Sequence, residues 1–410
     1  MRKPVPAVRS SATLSAALAA SVLGVTVAVA PAAHATPPIE TCQVPENPSW
    51  DGWTNYSELV RSLHAIERRS HGRVDVEKAG RTTEGRTLWR ARAGNGKKVV
   101  LVTSAIHGNE RTGTEALLQI LNRLGTSQDR HTRALLRQVT FVAMPMVNPD
   151  GGELNRRANV ISWDQVTDRF PQLKGAPKAW YHSESGDGVA KPGFDLNRDF
   201  NPDLNYVPKA SDLPGEQTDA GFFLSPESRA IRDTYVQLRR EKGQVEAYID
   251  LHHMGPCDRL TSGPQAGKLI SAAIDYPPLG VEDGAKYKKD WPKLDQDKSR
   301  RYALAAAKGI YGKYGMNQAE SAIGRYVHPD EREYAGQGRS ALALNGTGTV
   351  LFEVRGQSDD LGEQHKEVFT ATVRTGVESI MTGVATGAAD RLDGDEFFTL
   401  PTYGWDAPKP

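Results

Sequence analysis

An α/β fold is the class this chain predicts: a single domain in which a mixed, mostly parallel twisted sheet lies between helices. Three observations carry it. An apolar run from Lys98 to Ser104 gives way to a helical pattern from Thr114 to Leu124 and then to a second apolar strand from Gln138 to Met146. Strand, helix and strand in that order imply a right-handed crossover between parallel neighbours. The polar residues with chemical potential, His107, Asn148 and His252, fall just beyond apolar runs, and ligand sites in such sheets collect at the carboxyl ends of the strands. The 410-residue length is enough for one large core.

Residues 1–35 read as a leader outside the fold. Arg2, Lys3 and Arg9 make a positive start, small apolar residues run from Ala17 to Ala32, and Ala33-His34-Ala35 has the form of a cleavage site. Pro37 and Pro38 follow without stop-transfer charges, so secretion to the extracellular space is expected rather than a membrane span. Residues 36–400 are assigned to one domain and 401–410 to a peripheral proline-containing tail. Too few residues separate Ala35 from the body for an inhibitory propeptide, so secretion in active form is expected. With 51 basic and 50 acidic residues the charge is balanced, which argues against a nucleic-acid partner, and nothing later in the chain could span a membrane. A monomer is expected. Cys42 and Cys257 either bridge, as an oxidising compartment allows, or remain thiols.

The elements follow in order. Leu59, Leu63 and Ile66 recur at helical spacing between Asn55 and Arg69. Short extended pieces are expected near Arg73–Glu77 and Leu88–Ala91. After the crossover, Pro149-Asp150-Gly151-Gly152 is a turn. Ile161 to Lys191 shows no sustained periodicity and reads as a long surface excursion. Ser225-Pro226 opens a helix, with serine as N-cap and proline at the first position. Val245 to Leu251 is a strand that delivers His252 and His253. Loop then dominates to Asn317 apart from a helix near Arg301–Tyr311, Thr349–Val354 is a buried strand, and a last helix runs from Gln364 to about Ala385.

Four groups of residues suggest chemistry. His107 and Glu110, three apart at a strand end, are a common beginning of a zinc site, which in enzymes needs a third protein ligand and an open position. His252 or His253 could be that third ligand, but neighbours in a strand face opposite ways and the pattern does not choose. Glu353, between Phe352 and Val354, is an expensive acid unless it is solvated at a cleft or paired; it reads as a general base, or as the ion-pair partner of Arg355. In Asp195-Leu196-Asn197-Arg198, the amide and guanidinium suit a carboxylate, and Asp195 suits the second ring nitrogen of a ligand histidine. Arg157 suits a developing oxyanion.

Together these residues resemble the zinc metallocarboxypeptidases of the carboxypeptidase A type. The matching segments are His107-Gly108-Asn109-Glu110, Asn148-Pro149-Asp150-Gly151, Arg157-Ala158-Asn159, Asp195-Leu196-Asn197-Arg198, Asp250-Leu251-His252 and Leu351-Phe352-Glu353, in the family's order. The resemblance implies a carboxypeptidase-like α/β/α fold and a Zn2+ ion on His107, Glu110 and His252. It implies Glu353 as general base and Asp195 as the partner of His107. Arg157 becomes the carbonyl-polarising group, and Asn197 with Arg198 the clamp for a peptide's free C-terminal carboxylate. The family also places a tyrosine over the bound residue. Tyr334 is the better match here and Tyr326 the competitor. Specificity is set within Gln337–Gly346, where Arg339 would select an acidic side chain if it pointed inward; an outward Arg339 is slightly preferred. The segment Val160–Gly193 is longer than a compact form needs and is expected to wall the cleft.

The same features resemble the relatives that cut cell-wall peptides at γ-D-glutamyl-diaminopimelate links. An acylase acting on N-acyl amino acids and a binding module with a vestigial site are further alternatives.

Overall fold

The computed structural model describes residues 42, 49–184, 191–277, 289–326, 335–356 and 362–404. The proposed leader, Tyr334 and the last residues of the tail lie outside the described residues. Strands are numbered in chain order. Eight of them, β1 (Val74–Arg81), β2 (Thr87–Ala93), β3 (Lys98–Ser104), β4 (Val139–Met144), β7 (Ala247–Met254), β9 (Ala272–Asp275), β10 (Ile323–Arg325) and β11 (Gly348–Arg355), form an 8-stranded sheet in the order β1-β2-β4-β3-β7-β11-β9-β10. At its centre β4, β3, β7 and β11 run parallel. β2 joins β4, and β9 joins β11, antiparallel, so the sheet is mixed as expected.

Local chemistry explains the elements. The first helix, Tyr56–Ser70, starts at Asn55, whose side chain accepts from the Glu58 amide at 3.0 Å while Glu58 accepts from the Asn55 amide at 3.0 Å, a reciprocal cap. Its buried stripe of Leu59, Leu63 and Ile66 is the one the spacing predicts. Ser225 caps the helix Pro226–Lys242 with proline at its first turn, also as predicted. The closing helix, Glu363–Thr386, lays Phe369, Val373, Val377 and Ile380 on the same core as Val100, Val102, Ile249 and Phe352.

Several expectations change. Gln138 ends a helix, Arg130–Gln138, rather than opening a strand; its few residues between two apolar elements hide the switch of period. Pro149–Glu153 is a single helical turn. The stretch from Ile161 is not a surface excursion: Ile161, Trp163, Val166, Leu173, Ala179 and Tyr181 join Phe194, Phe200 and Phe222 in a second core. Its helix Trp163–Arg169 is too short for periodicity to register. The presumed loop after Met254 contains β8 (Arg259–Leu260) and β9, while the helix expected near Arg301–Tyr311 is present and starts earlier, at Gln296–Tyr314. The tail is not peripheral as far as it is described, because β12 (Tyr403–Gly404) pairs antiparallel with β8. Cys42 and Cys257 form a disulfide with Cα atoms 5.1 Å apart, fastening the start of the body next to β8. Among the described residues, no helix is long and apolar enough to cross a membrane.

Candidate active site

Strand register assembles the site. In the parallel pair β7–β11, Glu353 stands beside His252, and in β3–β7, Thr103 stands beside Asp250. Side chains in register on adjacent strands share a face. His252 and Glu353 therefore project together although 100 residues of chain separate them. Just past β3, Ala105 takes the left-handed conformation at φ 51° and turns the chain toward His107. A non-glycine residue there costs about 1–2 kcal/mol. Backbone bonds from Val147 to Ser104 O (3.0 Å) and Asn148 to Ala105 O (2.9 Å) hold the turn. Gly108 is required by contact: a Cβ there would lie 2.2 Å from the Gly152 nitrogen.

A relay of side-chain bonds then aligns the remaining segments. Asn148 accepts from the Gly151 amide at 2.9 Å and donates to the Arg157 carbonyl at 3.1 Å. Two residues on, Asn159 accepts from the Phe194 amide at 2.8 Å and donates to Glu227 Oε2 at 3.1 Å. Phe194 belongs to the short β6 (Gly193–Phe194), which pairs with β5 (His182–Ser183) and leads directly into Asp195. Asn148 and Asn159 thus serve as scaffold, fixing Arg157 and Asp195 relative to His107.

At the centre His107, Glu110 and His252 converge, all of them buried, with one donor atom from each within 4.8 Å of the others. His107 Nδ1 is 2.8 Å from Glu110 Oε1, His252 Nδ1 is 3.0 Å from Glu110 Oε2, and the two Nδ1 atoms are 3.2 Å apart. The outer ring nitrogens face acids: His107 Nε2 lies 3.2 Å from Asp195 Oδ1 and His252 Nε2 3.1 Å from Asp250 Oδ2. Asp250 is itself held by Thr103 Oγ1 at 3.0 Å. Two imidazoles with backing carboxylates and one inward acid suit a zinc ion, because the outer acids fix the ring orientation and raise the basicity of the inner nitrogens.

The electrostatics agree. Burial pushes Glu110 upward, yet the charges and hydrogen bonds of His107 and His252 hold it well below the usual carboxylate range. Burial lowers His252, but Asp250 and Glu110 outweigh it and raise the ring well above its ordinary value. This cluster draws positive charge to its centre, as a cation site must. His253 turns the other way, and its Nε2 accepts from the Thr112 amide at 3.1 Å.

Around the cluster is a cavity of about 270 Å³ lined by His107, Glu110, Arg157, Asn197, Arg198, His252, Arg339 and Glu353 among others. Glu353 is pushed up to about 8, chiefly by burial and then by Glu110, while His252, Arg339 and Arg157 oppose the rise. Arg355, its alternative partner, instead sets its guanidinium 4.5 Å from the Phe369 ring centre. Arg157 donates to Asp195 Oδ2 at 3.0 and 3.2 Å and lies 3.6 Å from Glu110 Oε1. Burial would lower Arg157, and the charges of Asp195, Glu110 and Glu353 raise it instead. Asn197 sits between the Gly338 amide, from which it accepts at 3.1 Å, and the His252 ring at 3.4 Å. Arg198 Nη1 donates to the Asn197 carbonyl at 2.8 Å.

Arg339 corrects an expectation. It does not face outward but is 2% exposed, donating to Asp275 Oδ2 at 2.9 Å and to Gln337 Oε1 at 2.8 Å. Its charge is therefore met inside the wall. The segment 160–193 contributes none of the lining residues, so the wall expected there is absent among the described residues. The wall comes in part from Asp258, Tyr326 and Tyr403, none of which the sequence reading placed in the site except Tyr326 as a competitor to Tyr334. No sequence signal marks Asp258 or Tyr403. Asp250 was findable, because its spacing of two from His252 puts both on one strand face.

The profile of the zinc carboxypeptidase family matches residues 59–379. The chain belongs to the zinc carboxypeptidase family. It is 25% identical over 208 residues to a carboxypeptidase B of Astacus astacus, a match covering 50% of this chain and 62% of that protein. An inactive metallocarboxypeptidase of Paracoccidioides brasiliensis is 25% identical over 213 residues, 48% of this chain and 32% of that one. The chain thus spans less than two thirds of the curated relatives it matches. Among solved structures, the thrombin activatable fibrinolysis inhibitor aligns with a TM-score of 0.53 at 17% identity, over 82% of this chain and 78% of that chain, which shows the carboxypeptidase fold.

Proposed function

We propose that the protein is a secreted, monomeric, zinc-dependent carboxypeptidase that removes the C-terminal residue of peptides with a free carboxylate. The observation that carries this reading is the β7–β11 register, which sets Glu353 beside His252 at the mouth of a cation-attracting cluster within one cavity. Zn2+ bound by His107, Glu110 and His252 would acidify water and polarise a carbonyl. Glu353, raised to about 8 by desolvation in the metal-free site and lowered again by a cation beside it, then takes a proton from the attacking water and passes it to the leaving nitrogen. Arg157, anchored on Asp195, presents positive charge where the oxyanion develops. Asp195 holds the His107 ring through Nε2. Arg198 and Asn197 hold the substrate carboxylate, which fixes the scissile bond one residue from the chain end.

The assigned leader, together with the disulfide between Cys42 and Cys257, supports export to an oxidising compartment. A cell-wall substrate with the same carboxylate remains the second reading, favoured by the polar character of the cavity walls, where Arg198, Arg339 and Asp258 gather.

The test is metal analysis followed by hydrolysis of a peptide library with free and amidated ends. Stoichiometric zinc and release of single C-terminal residues from free-acid peptides only is the expected result; internal cleavage, or equal rates on amidated peptides, overturns it. Replacing Arg198 by alanine should raise KM for free acids and leave residual hydrolysis of amides unchanged. Equal effects on both would remove the clamp from the reading.

A further inference from the structure

The cavity wall includes a residue from outside the main sheet. Tyr403, on β12, borders the same space as Glu353, Arg198 and Leu351. It is half-buried, packs with Tyr326 on a small core of Leu260, Ile270, Ala273 and Ala322, and meets the Tyr326 ring edge to face with centres 6.0 Å apart. The backbone beneath it is held on two sides. Tyr403 pairs with Leu260 of β8, the Thr261 amide donates to the Thr402 carbonyl at 2.9 Å, and the Thr402 amide donates to Ser262 Oγ at 3.2 Å. From the end of β10 the Arg325 amide donates to the Pro401 carbonyl at 2.8 Å, and a Cβ on Gly324 would lie 2.8 Å from that carbonyl oxygen. β8 itself follows Cys257, which Cys42 fastens. Burial, then Tyr326, Glu353, Asp258 and Asp275, raise the Tyr403 hydroxyl far above its ordinary value, so the wall here is a neutral ring. A ring restrained in this way does not swing aside, and forcing even one methylene into packed space is costly.

We propose that the Tyr403 ring is the end wall of the pocket for the released residue and sets the longest side chain that the site admits. The proposal rests on the carboxypeptidase reading and deepens it. The carboxylate held at Arg198 fixes one end of the residue, and the ring fixed on β12 limits how far its side chain extends. No zinc ligand, base or clamp residue of that reading comes from Pro401 to Gly404, so this segment acts on selection and not on the chemistry. Within the open space each added methylene gains contact, and one methylene in a pocket changes kcat/KM by about tenfold or more. The first carbon that meets the ring reverses the sign of that change. The substrate class is therefore a peptide whose last residue has a bounded length, and the bound comes from shape, through a residue that reaches the cavity on the short β8–β12 ladder.

The experiment measures kcat/KM of the zinc-loaded protein on peptides identical except for a straight-chain terminal residue, lengthened carbon by carbon from alanine through norvaline and norleucine to 2-aminooctanoate and beyond. In wild type kcat/KM should fall by about tenfold or more at one step of the series. In Tyr403→Ala the fall should come at a longer homologue, and in Tyr403→Phe, which keeps the ring, at the same homologue as in wild type. Tyr403→Trp enlarges the ring while keeping aromatic packing and should bring the fall to a shorter homologue; it decides the matter where Tyr403→Ala fails to fold. No fall along the series in wild type, or a fall at one and the same step in wild type and both of these variants, overturns the proposal. A shift in Tyr403→Phe as large as in Tyr403→Ala would move selection to the hydroxyl and overturn the ring as wall. Calorimetric titration of the free amino acids of the same series reads the limit without turnover. Failure to cleave any peptide while the binding limit moves with residue 403 rejects the carboxypeptidase reading alone, and cleavage with a limit indifferent to residue 403 rejects the end wall alone.

Discussion

Replacing Glu353 by glutamine keeps the side chain's shape and removes the oxygen that accepts a proton. Glu353 is not one of the groups that converge as His107, Glu110 and His252, so zinc content should be unchanged. In the metal-free site the carboxyl is raised to about 8 by burial, and a bound cation beside it lowers that value toward neutrality. A base so matched contributes about 10²- to 10⁴-fold. The variant should lose kcat by that factor, about 3–5 kcal/mol of barrier, with little change in KM. The pH profile gives a second readout. Wild-type kcat/KM rises with pH as the base ionises, and the variant lacks that acid limb. The metal-free protein gives a third. A glutamate titrates near 4.5 when unfolded and about 8 here, so its contribution to stability is full below 4.5 and is lost as pH rises to about 8. That shift corresponds to an upper bound of about 5 kcal/mol. Metal-free Glu353→Gln should accordingly be more stable than wild type at about pH 9 in denaturant titrations. Turnover within about tenfold of wild type in the zinc-loaded variant would refute the general-base assignment.

Metal analysis after gel filtration should show zinc lost in His252→Gln and retained in His253→Gln, because only His252 faces Glu110 while His253 accepts from the Thr112 amide. Glu227 is fully buried and raised to about 7 by burial, so wild-type stability should fall by about 3 kcal/mol as pH rises from 4.5 to about 7 and then level off. In Glu227→Gln that slope should vanish from the pH dependence of the denaturation midpoint; an unchanged slope would deny the shift. Cys42→Ser opens a loop with a sequence separation of 215 and, by chain entropy, should lower stability by about 5 kcal/mol, read as a fall in the unfolding midpoint.

The sequence made the fold class and the six motif segments legible because each is local: an apolar run, a cap, a short polar string. Glu353 was visible as an acid out of place in β11, and His107 with Glu110 as two ligand types at a strand end. The choice between His252 and His253 was not visible, since it depends on which face β7 turns to β3 and β11, and register is a pairing of distant segments. The inward turn of Arg339 was missed for a similar reason. Its partner Asp275 comes from β9, a strand that four apolar and acidic residues are too few to announce. The second core around Trp163 and Tyr181 escaped because its elements are a few residues long and its order comes from aromatic packing and the Asp199 carboxylate, which accepts from Tyr181, Leu224, Ser225 and Ser228.

Family membership and hydrolytic activity are separable, as the inactive metallocarboxypeptidase among the relatives makes plain. What bears on activity is whether the polar groups meet. Scaffold bonds such as Asn148 to the Arg157 carbonyl would persist in a fold that had lost its chemistry, since they stabilise the loops whether or not a metal binds. Glu353 is different. A fully packed apolar residue at its place in β11 would relieve a half-buried acid raised to about 8, so the carboxyl group is kept against the interest of stability. An acid held among apolar neighbours beside His252 is a destabilising feature that a vestigial site would shed. Its presence weighs toward a site under pressure for chemistry rather than for stability.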